Sequence, residues 1–345
     1  MAADRDDGSE LPQPDRPALE QSAADRPASS RPAPDRPAPD RPAPDRPAPD
    51  RIGSGRPAER GPGDAPATGD GRPELRERQL AEHARYRLVV EATIAREKWA
   101  RAAPELEAEW TEHKRRYPAP DRQPASTQPD GSWHGDGGRR LSPEQNAEAG
   151  KCAADLRDEA RQSIRPAMER IAAADPDRRL AGLEHMLKSE DRLKEKVADA
   201  LQAQSELTVR QAAGGVPDSV RFTLSYPCER YASGVLADVD RLKGEGFELV
   251  KLKNLWHSDQ YKGINSQWRA PDTGTRVEVQ FHTVESLEAK EVTHGAYERI
   301  RSRSVNPEER PALAQFQRRA NMLLVTPLGT AEIADFPKKT GKNDG

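Results

Sequence analysis

Polar and apolar positions alternate without interruption over residues 276–283. Arg276, Glu278, Gln280 and His282 fall on one side, and Val277, Val279 and Phe281 on the other. A period of two is the signature of a β-strand, and the apolar side supplies a face for a core. Residues 264–270 form a second strand-like run, and Pro271-Asp272-Thr273-Gly274 between the two is a turn signal. The polar face of the later strand sets an acid, an amide and an imidazole side by side. That is either the wet side of an antiparallel sheet or a site carried on a rigid element.

Helical spacing dominates the first half of the chain. Over residues 74–117, Leu80, Ala84, Leu88, Ala92, Ala95 and Trp99 recur at steps of three and four, and Pro104 predicts a break into two helices. Residues 119–140 read as a loose linker. Ser142-Pro143-Glu144-Gln145 is a capped helix start, followed by the stripe Cys152, Leu156, Ala160, Ile164, Ala167, Ile171, which Pro166 is placed to kink. A further helix is expected over 178–203. From residue 205 the texture becomes mixed. Strands are predicted at 219–226, 247–255, 264–270 and 276–283, and helices at 230–245, 284–303 and 307–325, with 331–345 frayed. This order describes an α+β domain over 141–330: a mixed sheet of about four to five strands flanked by helices, preceded by a helical segment at 73–118.

Composition changes the picture at the N-terminus. Hydrophobic residues make up only 34% of the 345, and there are 31 prolines. Four tandem copies of Pro-Ala-Pro-Asp-Arg run from Pro32 to Arg51. Proline at alternate positions forbids helix and denies a sheet its donors, so residues 1–72 read as a disordered, polyproline-like tether. A net charge of −3 gives no global field toward nucleic acid or membrane, so any anion site is local. Cys152 and Cys228 lack metal-ligand spacing and are read as ordinary small residues. With no apolar signal core and no run of about 18 apolar residues, a cytoplasmic protein without membrane spans is expected.

Four patches carry candidate chemistry. On a continuous helix, Lys188, Arg192 and Lys196 would lie on one face at intervals of four, suited to a polyphosphate or simply to solvent. Asp218 precedes a strand carrying Arg221, and an acid at a strand edge can hold Mg2+. Tyr261-Lys262-Gly263-Ile264-Asn265 offers an aromatic for a base, a cation for phosphate and a glycine for close approach. The fourth patch is Glu278, Gln280 and His282, with His294 on the next helix. Cations for phosphates, two acids for one metal and an aromatic for a base make an inventory for phosphoryl-type transfer from a nucleotide. There is no G-x-x-x-x-G-K-[ST] loop.

Over about residues 180–300, roughly a third of the chain, these patches resemble the alarmone synthetase domain of the RelA/SpoT family, a nucleotidyltransferase-like fold. Residues 187–196 resemble its ATP-phosphate helix, with Lys188 and Lys196 at the lysine positions, Ser189 beside them, and Arg192 where serine is usual. Asp218 to Phe222 resembles the Asp-x-x-Gly-x-Arg strand, with the acid three residues before the arginine rather than five and without the glycine. Tyr261 is similar to the tyrosine that stacks on the acceptor guanine. Residues 277–283 resemble Glu-x-Gln-x-Arg-Thr, with His282 for arginine, and Asn265 stands where the family has histidine.

The resemblance implies pyrophosphate transfer from ATP to a ribose hydroxyl. Lys188, Arg192 and Lys196 would hold the triphosphate, and Ser189, Arg221, Tyr261, Lys262, Asn265, Gln280, His282 and His294 would complete the nucleotide site. Asp218 and Glu278 would bind Mg2+, with Glu278 also helping to deprotonate the attacking hydroxyl. Two alternatives stand beside alarmone synthesis. One is a toxin or effector of the same fold acting on adenosine nucleotides or tRNA. The other is an interaction protein that binds nucleotide without turnover.

Overall fold

The computed structural model describes residues 72–118, 124–301 and 305–337. The expected Pro-rich tether therefore lies outside the described residues, except for Arg72. Of the unit spanning Ala18–Arg78, only residues 72–78 are described, as the first turns of helix α1. The other described residues, 79–337, belong to the larger unit.

Helix α1 (Arg72–Arg116) is one element with Pro104 inside it, not the two helices expected. An interior proline costs about 3 kcal/mol, since it removes a donor and crowds the preceding turn. Buried side chains on both sides of it outweigh that cost. Trp99 and Leu106 are buried with Ala289, Ala296, Leu313 and Phe316, and each large apolar side chain so placed contributes about 1.5–3 kcal/mol. Arg96 Nε donates to Glu285 Oε1 at 2.8 Å, and Trp99 Nε1 to Glu288 Oε2 at 2.7 Å. From Leu88 onward the stripe thus packs on the domain, whereas Leu80 is exposed.

The expected linker is also structured. Strands β1 (Ser126–Thr127), β2 (Trp133–His134) and β3 (Arg140–Leu141) form a small antiparallel sheet. Its cause is Trp133, which is buried with Leu141, Ala149, Leu193 and Val197 while its Nε1 donates to Asp191 Oδ1 at 3.0 Å. Two-residue strands carry no periodicity to read.

Helix α2 (Pro143–Glu159) starts at the expected capping box on Ser142. It passes through a π turn at Ala160–Ile164 into α3 (Arg165–Ala173), so the wider turn accommodates Pro166 near the start of α3. The helix expected over 178–203 is interrupted. Strand β4 (Arg179–Ala181) comes first, Gly182 turns the chain at φ 65°, and α4 (Glu190–Ala203) begins at Ser189. Helix α5 (Val209–Gly214), strand β5 (Val220–Tyr226) and helix α6 (Tyr231–Gly244) follow.

Strands β6 (Glu248–Asn254), β7 (Ile264–Arg269) and β8 (Arg276–Thr283) form the meander read from the sequence. Helices α7 (Val284–Arg301) and α8 (Arg310–Met322) close the fold. The sheet order is β4-β5-β8-β7-β6, with β5 and β8 parallel and the other neighbours antiparallel. Its apolar face, with Phe222, Leu224, Val277, Val279, Phe281 and Trp268, packs on Ile164, Met168 and Ile171 and on Tyr231, Val235 and Leu242 of α6. The C-terminal stretch is anchored as far as it is described. Leu252 and Phe336 exchange backbone hydrogen bonds of 2.8 and 2.9 Å, and Ile333 joins the core. No described helix is long and apolar enough to cross a membrane.

Candidate functional site

The polar face of β8 is not wet. Glu278 is 1% exposed, and Gln280 and His282 are fully buried. Register explains the company they keep, because residues paired across strands share a face. One row runs Lys251, Gln267, Glu278, Arg221 across β6, β7, β8 and β5. The next runs Lys253, Asn265, Gln280, Thr223. Over these rows lies α7, whose Lys290 Nζ donates to Gln280 Oε1 at 2.7 Å.

Arg221 ties the two predicted acids together. Its Nε donates to Glu278 Oε2 at 2.8 Å, and its Nη2 lies 3.6 Å from Asp218 Oδ2. On a regular strand, residues three apart would face opposite ways. Asp218 sits in the turn before β5, however, and the turn brings its carboxylate round to the side of Arg221. The same Asp218 oxygen accepts a 3.0 Å hydrogen bond from Lys188 Nζ, and that pair is 2% and 8% exposed. Lys188 is held there by backbone pairing. Its N–H bonds Ser219 O at 3.0 Å, and Arg221 N–H bonds Met186 O at 2.8 Å.

The expected cationic helix face is accordingly split. Lys188 precedes α4 and serves Asp218. Ser189 is the N-cap of α4, its Oγ accepting from Arg192 N–H at 3.3 Å. Arg192 pairs with Glu195 at 2.9 Å, and Lys196 is exposed. The acids Glu190 and Asp191 in the first turn suit the positive end of the helix dipole.

Tyr261 does not present an open ring face. It is buried, its hydroxyl 2.9 Å from His282 Nε2 and its ring edge-on to the imidazole at 5.3 Å. His282 Nδ1 lies 3.0 Å from Ser286 Oγ, which also receives Thr283 N–H at 2.9 Å and lies 3.2 Å from Thr283 O. Donor counting assigns the tautomer. The serine proton goes to the carbonyl, so Nδ1 carries the imidazole proton and Tyr261 donates to Nε2. Burial, reinforced by the Lys290 charge, holds His282 well below the ordinary imidazole range, and burial followed by the Glu278 charge raises Tyr261. Lys262 donates to Trp256 O at 2.7 Å and is lowered by burial. Asn265 is buried on the polar face beside Gln280.

Of two cavities beside the Asp218–Arg221 pair, one is lined by Asp218 and the other by Arg221. The larger, about 290 Å³, lies between α4, α5 and the turn before β5, and is lined by Lys196, Gln211, Pro217, Asp218 and Arg301. The smaller, about 60 Å³, lies between the β4–β5 edge and α7, walled by Gly182, His185, Arg221, Leu287, Lys290 and His294. Both ring nitrogens of His294 are buried without a hydrogen bond, since Glu298 Oε1, 3.4 Å from Nε2, is too poorly aligned for one. Sequence reasoning missed Lys251, Lys253, Lys290 and Arg301. The signal for the first two was present as a lysine pair at period two in β6. Burial, then Lys253 and Arg276, lower Lys251.

Magnesium fits this donor set in a restricted sense. Asp218 and Glu278 supply hard oxygen ligands joined through Arg221, but no cluster of three or more metal-ligating side chains occurs among the described residues. An ion there would take one or two carboxylates and complete its shell with substrate oxygens and water, the usual manner of Mg2+. Neither cysteine lines these cavities. Both are free and buried, and burial with the charge of Glu285 pushes the Cys228 thiol up to about 12.

No protein-family profile and no curated protein matches the chain. Among solved structures it is similar to small alarmone synthetase 1 from Bacillus subtilis, at 11% identity over 51% of this chain and 92% of that one, with a TM-score of 0.37. It is similar also to small alarmone synthetase 2 from Bacillus subtilis (14%, 52% and 94%, TM-score 0.34). A GTP pyrophosphokinase family protein from Streptococcus pneumoniae is similar too (14%, 52% and 85%, TM-score 0.33). At these scores the likeness carries no weight for activity, which rests on the residues themselves.

Proposed function

We propose that this chain is a RelA/SpoT-like nucleotide pyrophosphokinase, transferring the β,γ-pyrophosphoryl group of ATP to a ribose hydroxyl of an acceptor nucleotide. The observation that carries the reading is Arg221 bridging Asp218 and Glu278, with Asp218 on the wall of one cavity and Arg221 on the wall of another. The donor's phosphates lie in the larger cavity, beside Lys196 and Arg301. The smaller one, at about 60 Å³, has room for no more than about two waters beside Arg221, His185 and His294. Asp218 and Glu278 would hold Mg2+, which when bound supplies charge neutralisation for the transferred phosphates.

The chain's own groups do the rest. Glu278 takes the proton of the attacking hydroxyl, whose oxygen bonds the β-phosphorus. The bond to the α,β-bridging oxygen breaks, and AMP leaves with the electron pair. Lys251 and Lys253, in the same sheet rows as Glu278 and Gln280, stand on the acceptor side.

A specific observation favours a second acceptor class. Tyr261, bonded to buried His282, offers no face to a guanine, which suits an effector acting on adenosine nucleotides or tRNA. The test is thin-layer analysis of γ-labelled ATP with Mg2+ and, in turn, GTP, GDP, ADP and tRNA. Label on GTP or GDP supports alarmone synthesis, and label only on ADP or tRNA supports the effector. Nucleotide binding with no labelled product from any acceptor would leave an interaction protein and end the transferase reading.

A further inference from the structure

We infer that Lys290 is a positioning residue for Glu278, acting through the side-chain amide of Gln280. The inference rests on the reading of Glu278 as the catalytic carboxylate. Lys290 Nζ donates to Gln280 Oε1 at 2.7 Å, and Gln280 Nε2 donates to Glu278 Oε1 at 3.2 Å. An amide has one acceptor end and one donor end, and an ammonium group only donates. Lys290 therefore fixes which end of Gln280 meets Glu278. The fully buried amide has no water to turn toward.

Arg221 holds the other carboxylate oxygen, so both oxygens of Glu278 are engaged and the group stands in one orientation. Without the lysine, the amide can turn its oxygen toward Glu278, and that lone-pair repulsion would rotate or displace the carboxylate. The first turns of α7 thus do more than cover the sheet. They set the catalytic group from a residue that acts on it through another side chain.

The test compares wild type, Lys290→Met and Lys290→Arg as full-length chains. It measures steady-state kinetics with ATP and the active acceptor, and amide spectra of 15N-glutamine-labelled protein. The methionine variant should lose roughly tenfold or more in kcat, with KM for both nucleotides unchanged, and arginine should restore most of it. The Gln280 side-chain amide signals should move in the methionine variant and return in the arginine one. A rise in KM at constant kcat would make Lys290 a nucleotide ligand and overturn the proposal. So would an unmoved amide signal, or an arginine variant as impaired as methionine. If wild type transfers nothing to any acceptor, the transferase reading has failed, and the amide spectra alone decide whether Lys290 orients Gln280.

Discussion

Arg221 and Glu278 stand opposite each other on the parallel β5–β8 pair, with Arg221 Nε donating to Glu278 Oε2 at 2.8 Å. The pairing holds a carboxylate that is 1% exposed beside an arginine that lines a cavity. Truncating the arginine to Arg221→Met leaves a buried, unpaired charge, and should cost about 3–5 kcal/mol in urea unfolding. Arg221→Lys should recover only part, because a point charge cannot reach both acids as a fork does. A methionine variant within about 0.5 kcal/mol of wild type would mean the pair is not formed as described.

Lys188 and Lys196 look equivalent in sequence and are not equivalent in the fold. Lys188 is buried on Asp218, while Lys196 is exposed on the cavity wall. Lys188→Met should lower stability by about 1–3 kcal/mol. Lys196→Ala should stay within about 0.5 kcal/mol of wild type while weakening ATP binding. Isothermal titration beside urea unfolding separates the two, and equal stability losses would contradict the assignment.

The buried imidazole of His282 gives a pH signature. Its folded value lies below the unfolded one of about 6.5, so the unfolded chain binds the extra proton in the window between them. Stability from this group is full above about pH 6.5 and declines as pH falls toward the folded value. Urea midpoints from pH 8 to 5 should therefore drop more steeply for wild type than for His282→Gln. Parallel curves would remove His282 as the titrating group.

Gly263 makes the close approach that holds this pocket shut. A Cβ there would lie 2.9 Å from His282 Cε1 and 3.0 Å from Phe281 O, at φ 156°. The ring cannot yield readily, being bonded on both nitrogens. Gly263→Ala should cost about 1–3 kcal/mol in thermal or urea unfolding, and a neutral result would show that the Tyr261–His282 contact is slack.

Much of this was legible in the chain. The alternation over 276–283 predicts β8 to the residue, because a polar/apolar period of two has one structural reading when it is strict. The burial of its polar face was not legible. That depends on α7, which begins at the next residue and folds back through Lys290 and Ser286. The displacement of Lys188 from the helix had a signal, since Ser189 followed by Glu190 and Asp191 is a helix start, but the four-residue spacing of cations masked it. Pro104 inside α1 and the two-residue strands around Trp133 were set by tertiary packing that no local pattern encodes. Asp218 reaches Arg221 by a turn rather than by strand register, so period-two reasoning could not place it.

Pyrophosphate transfer by this chain depends most directly on Glu278. With Mg2+, γ-labelled ATP and whichever acceptor wild type labels, AMP release and label transfer should be measured for wild type and for Glu278→Gln, with circular dichroism confirming that both are folded. Wild type should turn over, and the variant should fall by about 10²–10⁴-fold, the usual contribution of a positioned general base. A folded Glu278→Gln protein that releases AMP at the wild-type rate would contradict the central claim.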